Sequence, residues 1–422
     1  MTIRIMIQAP RGEFRTGYGK IAQPIANYLS KNKDYEIFYL CGAEKTFRKS
    51  TDKITYLPVK NDNWAGDFLQ NNNVLFNYLT HFKIHYNLTF LDTWTGNATH
   101  LGGTHINAKT NWICHQTVNT YPVSSNIIQH SKNASWHVAP SKFVYDNLVK
   151  SGFDNVSYIP HFVDLKIFKP LNNKEELRKQ FGLVKNDFVF LCVSKNNTGH
   201  KNLPNLLRAF SIFKKRNPDS VDVKLLLLTD PKDNESVSPD LGFVRYSFGL
   251  QDSVFFVWEK FNKDLKEWIP VIEGNGIPHF QSIGFSDEQM NKLYNLSDVL
   301  VLPSVGESFG LPIIEAHACG LPVIVGDHTA CSELVVEGTG YVSGISDEIF
   351  NPSIHAWTKL PSTEHMAVLM EQAYKDKNKD FSKDCLKNAK KYDEKIILPK
   401  WGVLFDKMIN SIPKGYGSRI GL

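Results

Sequence analysis

The sequence predicts an α/β protein built as two doubly wound halves, and three observations carry that prediction. Apolar runs such as "FVFLCVSK", "VKLLLLTD" and "DVLVLPS" alternate with longer amphipathic segments such as "NLPNLLRAFSIFKKR". Strands so continuously apolar are buried on both faces, as in parallel sheets covered by helices. The alternation restarts near residue 170, after the proline-punctuated stretch "VSYIPHFVDLKIFKP". At 422 residues the chain also exceeds what one hydrophobic core usually serves, so two or three domains are expected.

Taken in order, "IRIMIQAP" is a strand and "GYGKIAQPIANYLSK" a helix entered through glycines. "YEIFYLCG", "TNWICHQT" and "SWHVAPS" read as further strands, and "SKFVYDNLVKSG" as a capped helix ending at Gly152. After the restart, which follows "KEELRKQFG", "SDEQMNKLYNLS" is a helix, and "PIIEAHACG" and "LPVIVGD" form a helix and a strand. The stretch from about Asp230 to Gly284 resists assignment, with "EGNGIPH" read as a loop. Trp401, Leu404, Phe405, Met408 and Ile412 fall on one helical face. The expected division is 1–165, a first Rossmann-like domain, then 166–397, a second, followed by a helix at 398–412 that could cap either one, with 413–422 a flexible tail.

Composition narrows the function classes. Hydrophobic residues at 42% and charged residues at 22% are ordinary globular values. The net charge of +5 is mild, so nucleic acid is not the expected partner. The six cysteines contain no Cys-x-x-Cys pair, which argues against a zinc site or disulfide scaffold and fits a reducing compartment. No signal-peptide pattern and no run of about 18 apolar residues is present, so a cytoplasmic protein without a transmembrane segment is expected. Sequons at Asn87 and Asn97 are then chance matches.

The densest chemistry lies in "PSVGESFGLPIIEAHACGLPVI", where Glu307 and Glu315 stand in a Glu-x7-Glu arrangement around a helix start. The loop follows a buried strand, and in open α/β sheets ligands bind at that edge. Pro312 suits the first helical position, where its missing N–H costs nothing. The N–H groups around Phe309, Gly310 and Leu311 can then meet an anion, and Gly310 permits close approach. Glu315, one turn inside, is placed for neutral hydroxyls such as those of ribose. Glu307 is placed for a second polyhydroxylated group. In "VSKNNTGHKNLP", Lys195 and Lys201 sit at another strand's carboxyl end, where two cations can neutralise a departing diphosphate. Taken singly, each glutamate could equally be a helix-dipole partner or a solvated charge.

These residues resemble retaining glycosyltransferase family 4, most densely over "SDVLVLPSVGESFGLPIIEAHACGLPVIVGDHTACSELV". "APSKFVYDNLVKSG", "YIPHFVDLKIFKP", "SKNNTGHKNLP" and "GFSDEQMNKLY" are similar to other segments of that family. The resemblance implies the GT-B fold, two Rossmann-like domains facing a central cleft, with the C-terminal helix crossing back to the first. It implies a donor-sugar contact for Glu307, a ribose contact for Glu315, and diphosphate contacts for Lys201, Lys195 and the Phe309–Leu311 backbone. Gly17 and Gly19 of "RTGYGK" match the loop approaching the phosphates, and His115 matches a sugar-facing histidine. Position 195 is Lys where the family carries Arg, which replaces a bidentate fork by a point charge. The expected activity is retaining, metal-independent transfer of a hexose-type sugar, with no cofactor. The donor would be a UDP- or GDP-sugar and the acceptor a glycan or lipid-linked hydroxyl. A sugar-nucleotide epimerase of the same fold and a non-catalytic nucleotide-sugar-binding subunit stay open as alternatives.

Overall fold

A computed structural model describes residues 2–10, 16–41, 48–49, 53–59, 72–93, 98–196, 200–232, 238–264, 266–274, 277–278, 285–351 and 355–411. The expected tail at 413–422, Ile412 and the sequon at Asn97 lie outside them. The chain divides into two compact units. Unit 1 is Met1–His161, Phe350–Trp357 and Glu394–Leu422; unit 2 is Phe162–Ile349 and Thr358–Asp393. Two junctions fall at 161/162 and 393/394, where the sequence reading put 165/166 and 397/398, and 350–357, read as part of the second domain, counts with unit 1.

Among the described residues of unit 1 an eight-stranded sheet runs Arg48–Lys49, Ile54–Leu57, Tyr35–Leu40, Ile3–Gln8, Tyr86–Phe90, Asn111–His115, Trp136–Ala139, Val156–Tyr158. All neighbours are parallel except the first pair. The chain winds outward from Ile3–Gln8 on one side, then resumes on the other with Tyr86–Phe90, so the strand order reverses between those two. The helix Gly17–Leu29 follows the first strand and starts from a Thr16 cap whose side chain accepts from Gly19 N–H. The helix Lys142–Lys150 is capped by Ser141 in the same manner.

Unit 2 repeats the plan. Its sheet runs Glu267–Ile272, Val254–Asn262, Val223–Leu228, Phe188–Val193, Val299–Leu302, Val323–Gly326, Gly340–Ser343, with Ile277–Pro278 also paired to Val254–Asn262. Alternate residues of one strand feed separate cores. Phe188, Phe190 and Cys192 pack with Phe210, Phe213 and Met370, while Val189 and Leu191 pack with Leu293, Leu300 and Ile313. Both faces are therefore covered, which explains the unbroken apolar runs. The order reverses between Phe188–Val193 and Val299–Leu302. The loops carrying Lys195, Lys201 and Glu307 leave those two strands.

The stretch that resisted assignment contains a helix, Leu241–Ser247, and a long strand, Val254–Asn262. Val254–Asn262 pairs in parallel through Phe256 and antiparallel from Val257 onward. Burial is lost along its second half, so no single periodicity marks it.

The last helix spans Glu394–Ser411, four residues longer at its start than expected, and buries Trp401, Leu404, Phe405 and Met408. It belongs to unit 1. Trp401 lies 6.0 Å from Phe90, and Phe405 lies 5.9 Å from Tyr86 and 6.3 Å from Tyr35, ring centroid to centroid. All six cysteines are buried and none forms a disulfide. Asn87 is fully buried and bonded to Gln8 and His105, so its sequon is inaccessible in the fold. No helix among the described residues is long and apolar enough to cross a membrane.

Candidate active site

In unit 2 the loop after Val299–Leu302 carries Ser304 and Glu307, and the helix Leu311–Ala318 follows. Gly310 is its N-cap at φ 101°, a left-handed conformation that L side chains rarely adopt. A Cβ there would stand 2.9 Å from Ile313 Cδ1, a side-chain end that can yield, so the left-handed backbone is what calls for glycine. Leu311 is the first helical residue and Pro312 the second, one place later than expected. The correction is mild, because the first four helical N–H groups all lack intrahelical partners. Phe309 turns its ring into the core, where it meets Tyr392 edge-on at 5.7 Å.

Glu307 is held from several sides. Its Oε1 accepts from the Lys201 ammonium and, at 2.7 Å, from Ser304 Oγ. Burial works to raise the Glu307 carboxyl, but Lys201, neighbouring His200 and the bonds from Lys201 and Ser304 together hold it below the ordinary carboxylate range. Lys201 precedes Asn202, the left-handed cap of the helix Leu203–Arg216, and Asn202 donates to Pro303 O at 3.0 Å. That bond ties the Lys201 loop to the Glu307 loop. Lys195, just beyond Phe188–Val193, is exposed and is not part of that ion pair. The sequence placed both lysines toward one diphosphate; in the structure the Lys201 charge already meets Glu307.

Glu315 is 5% exposed, and its Oε2 accepts from Tyr294 Oη at 2.6 Å. Burial and the Glu315 charge push the Tyr294 phenol well above its ordinary value, so it remains a donor. Sequence reasoning missed Tyr294, though "NKLY" places it on a buried helix face.

Unit 1 holds a second cluster. Gly17, Tyr18 and Gly19, expected in a loop, form the first turn of the helix Gly17–Leu29, and Tyr18 Oη donates to Asp92 Oδ1 at 2.6 Å, with Thr117 Oγ1 at 3.1 Å. Asp92 follows the strand Tyr86–Phe90, so this bond spans the point where the strand order reverses. His115 ends Asn111–His115, is fully buried, stacks on Phe90 at 4.6 Å, and has His161 Nε2 at 3.0 Å from its own Nε2. Tyr18, Asp92 and His161 carry no spacing signal, since contacts separated by 46 and 74 positions leave no local pattern.

Burial pulls His115 down to about 3 and, with the His115 ring beside it, takes His161 well below its ordinary value. The unfolded chain, with histidine near 6.5, then binds more protons than the folded one across that window. Stability is therefore complete above about pH 6.5 and falls as pH drops toward 3, by up to about 1.4 kcal/mol per pH unit for each such histidine. Urea unfolding of unit 1 should show a lower midpoint at pH 5 than at pH 7, and His115→Asn should shrink that difference. An unchanged difference would contradict the buried neutral pair.

Comparison with known proteins bears on what these units are. Residues 187–352 match the family described as "Glycosyl transferases group 1". A sucrose-phosphate synthase from Thermosynechococcus elongatus superposes with a TM-score of 0.72 at 16% identity, covering 97% of this chain and 100% of that one. HepE of Anabaena, solved in complex with UDP and glucose, gives 0.66 at 16% identity over 97% and 100%. The fold is GT-B. In sequence, the GT-B chain is 24% identical over 234 residues to an alpha-monoglucosyldiacylglycerol synthase of Acholeplasma laidlawii, over 54% of this chain and 50% of the relative. It spans between 9% and 50% of the length of the first curated relatives that it matches.

Proposed function

We propose that the protein is a retaining glycosyltransferase that moves a hexose-type sugar from a nucleotide-diphosphate sugar to a hydroxyl acceptor. The observation carrying this reading is the Lys201–Glu307–Ser304 constellation at the strand-order reversal of unit 2, beside a helix that begins at left-handed Gly310. Ligands of open α/β sheets bind at such a reversal, and a helix N-terminus favours an anion. UDP bound to a neighbour of the same fold supports a nucleotide donor, and the match over 187–352 supports group 1 transfer chemistry.

The roles follow from the charges. The backbone from Phe309 to Leu311 and the Lys201 ammonium take the diphosphate, with Lys195 at the rim. A donor arriving between Lys201 and Glu307 shares the ammonium between carboxylate and phosphate, and Glu307 turns its free capacity to sugar hydroxyls. Charge building on the leaving diphosphate is met by groups already in place, and electrostatic preorganisation of that kind lowers a barrier without reorganisation cost. The leaving diphosphate accepts the acceptor's proton, which keeps attack and departure on one face of the sugar. His115 and the helix start at Gly17–Gly19 are the candidate sugar and phosphate contacts that unit 1 carries. The acceptor would be a glycan or lipid-linked hydroxyl, and the protein would work in the cytoplasm.

Two outcomes are expected. Glu315→Ala should weaken binding of free UDP or GDP by about tenfold or more, since a bond to a charged group contributes roughly 1.5–3 kcal/mol. Calorimetric titration showing equal affinity in both proteins would remove the ribose assignment. Turnover should also survive EDTA, because the helix start and the lysines supply the positive potential. Loss on chelation with rescue by magnesium or manganese would overturn that assignment.

A further inference from the structure

Thr329 sits in a conformation its side chain disfavours. Its φ is 52°, and of the seven described non-glycine residues at positive φ it is the one branched at Cβ. Branching makes the left-handed region costly, and such strain persists where surrounding contacts impose it, often at functional sites. The contacts here converge on one residue. Thr329 Oγ1 accepts from the Glu307 N–H at 3.0 Å, and the Ala330 N–H donates to the Glu307 carbonyl at 3.2 Å. Two consecutive residues at the start of the helix Thr329–Glu333 thus grip both polar groups of the Glu307 main chain.

The hydroxyl has its own support. His328 Nδ1 lies 3.1 Å from Thr329 Oγ1. With one lone pair taken by the Glu307 N–H, the hydroxyl proton can point at His328, whose neutral ring offers a lone pair there. His328 is 4% exposed, and burial lowers its imidazole to about 4, which keeps it neutral. The ring is seated by Gly326, where a Cβ would stand 2.6 Å from His328 Nε2. Within "VGDHTA", Gly326 leaves room for the His328 ring, His328 adjoins the Thr329 hydroxyl, and Thr329 reaches Glu307.

We infer that Thr329 is a positioning residue: its hydroxyl, carried on strained backbone and backed by His328, fixes the Glu307 main chain so that the carboxylate meets a bound sugar at one angle. Lys201 and Ser304 hold the carboxylate end of Glu307, and Thr329 with Ala330 holds its root. The inference rests on the reading of Glu307 as a sugar-contacting group.

Thr329→Ser and Thr329→Ala test it, because both relieve the branching and differ only in the hydroxyl. Hydrogen exchange at the Glu307 amide should be about tenfold faster in Thr329→Ala than in wild type, and near wild type in Thr329→Ser. Nucleotide-sugar turnover should fall by about tenfold in Thr329→Ala alone, with affinity for free UDP and GDP within about twofold of wild type. A purely structural role would instead lower the melting temperature and move binding with turnover. Equal turnover in the Ser and Ala variants, or an unchanged Glu307 amide, overturns the inference. If the wild-type protein turns over no nucleotide sugar, the glycosyl-transfer reading falls, and the exchange of the Glu307 amide alone decides whether Thr329 holds it.

Discussion

Glu307→Ala should lower turnover of the nucleotide sugar by roughly 10- to 150-fold, the equivalent of about 1.5–3 kcal/mol for a lost charge-assisted bond. Affinity for the free nucleoside diphosphate should not fall. Lys201 is tied to Glu307 in the structure, so removing the carboxylate releases a cation toward the phosphates, and binding of the free diphosphate should hold or tighten. Lys201→Ala should move the two quantities together if, as proposed, the ammonium meets the diphosphate before and during transfer. Steady-state kinetics with calorimetric titration of UDP or GDP separates the cases. Weaker diphosphate binding with unchanged turnover in Glu307→Ala would exclude a sugar-side role.

The other large effect is expected far from that chemistry. Trp401→Ala should destabilise unit 1 by about 3–5 kcal/mol, the usual cost of removing a large buried aromatic. Trp401 is 1% exposed and adjoins Phe90, which itself stacks on His115. The C-terminal helix thus underlies the strand end where the unit 1 candidate residues gather. A chain truncated before Glu394 should lose hydrogen-exchange protection across Ile3–Gln8, Tyr35–Leu40 and Tyr86–Phe90. Loss confined to amides of unit 2 would contradict the packing seen here.

The sequence announced the parallel strands well, because burial on both faces leaves runs such as "VKLLLL" that few other environments tolerate. The last helix was equally legible: Trp401, Leu404, Phe405 and Met408 repeat at helical spacing and all are buried. Its first turn was not, since Glu394 and Lys395 are charged and Ile396 is exposed, so no apolar period runs through them. The strand Val254–Asn262 failed for a different reason. It changes partner and burial halfway, so neither a continuous nor an alternating pattern spans it.

Of the candidate site, the local part was readable and the long-range part was not. Gly310, Pro312 and the paired glutamates belong to one loop and one helix start, where capping and turn chemistry constrain residue type. The partners of those glutamates come from elsewhere in the chain: Lys201 is 106 positions from Glu307, and Tyr294 is 21 from Glu315. Thr329 looks unexceptional in sequence, because left-handed threonine has no compositional mark. The strain becomes visible only in the backbone.

The central claim, that unit 2 binds a nucleotide-diphosphate sugar at the Lys201–Glu307 site, is tested most directly by thermal unfolding against a panel of UDP-, GDP- and ADP-sugars. A ligand present at about 100 times its dissociation constant adds about 2.7 kcal/mol, enough for a clear rise in melting temperature. At least one member should protect the wild-type protein, and Glu315→Ala should lose this protection. Protection by none of them, or equal protection of wild type and Glu315→Ala, would rule out nucleotide-sugar binding at this site.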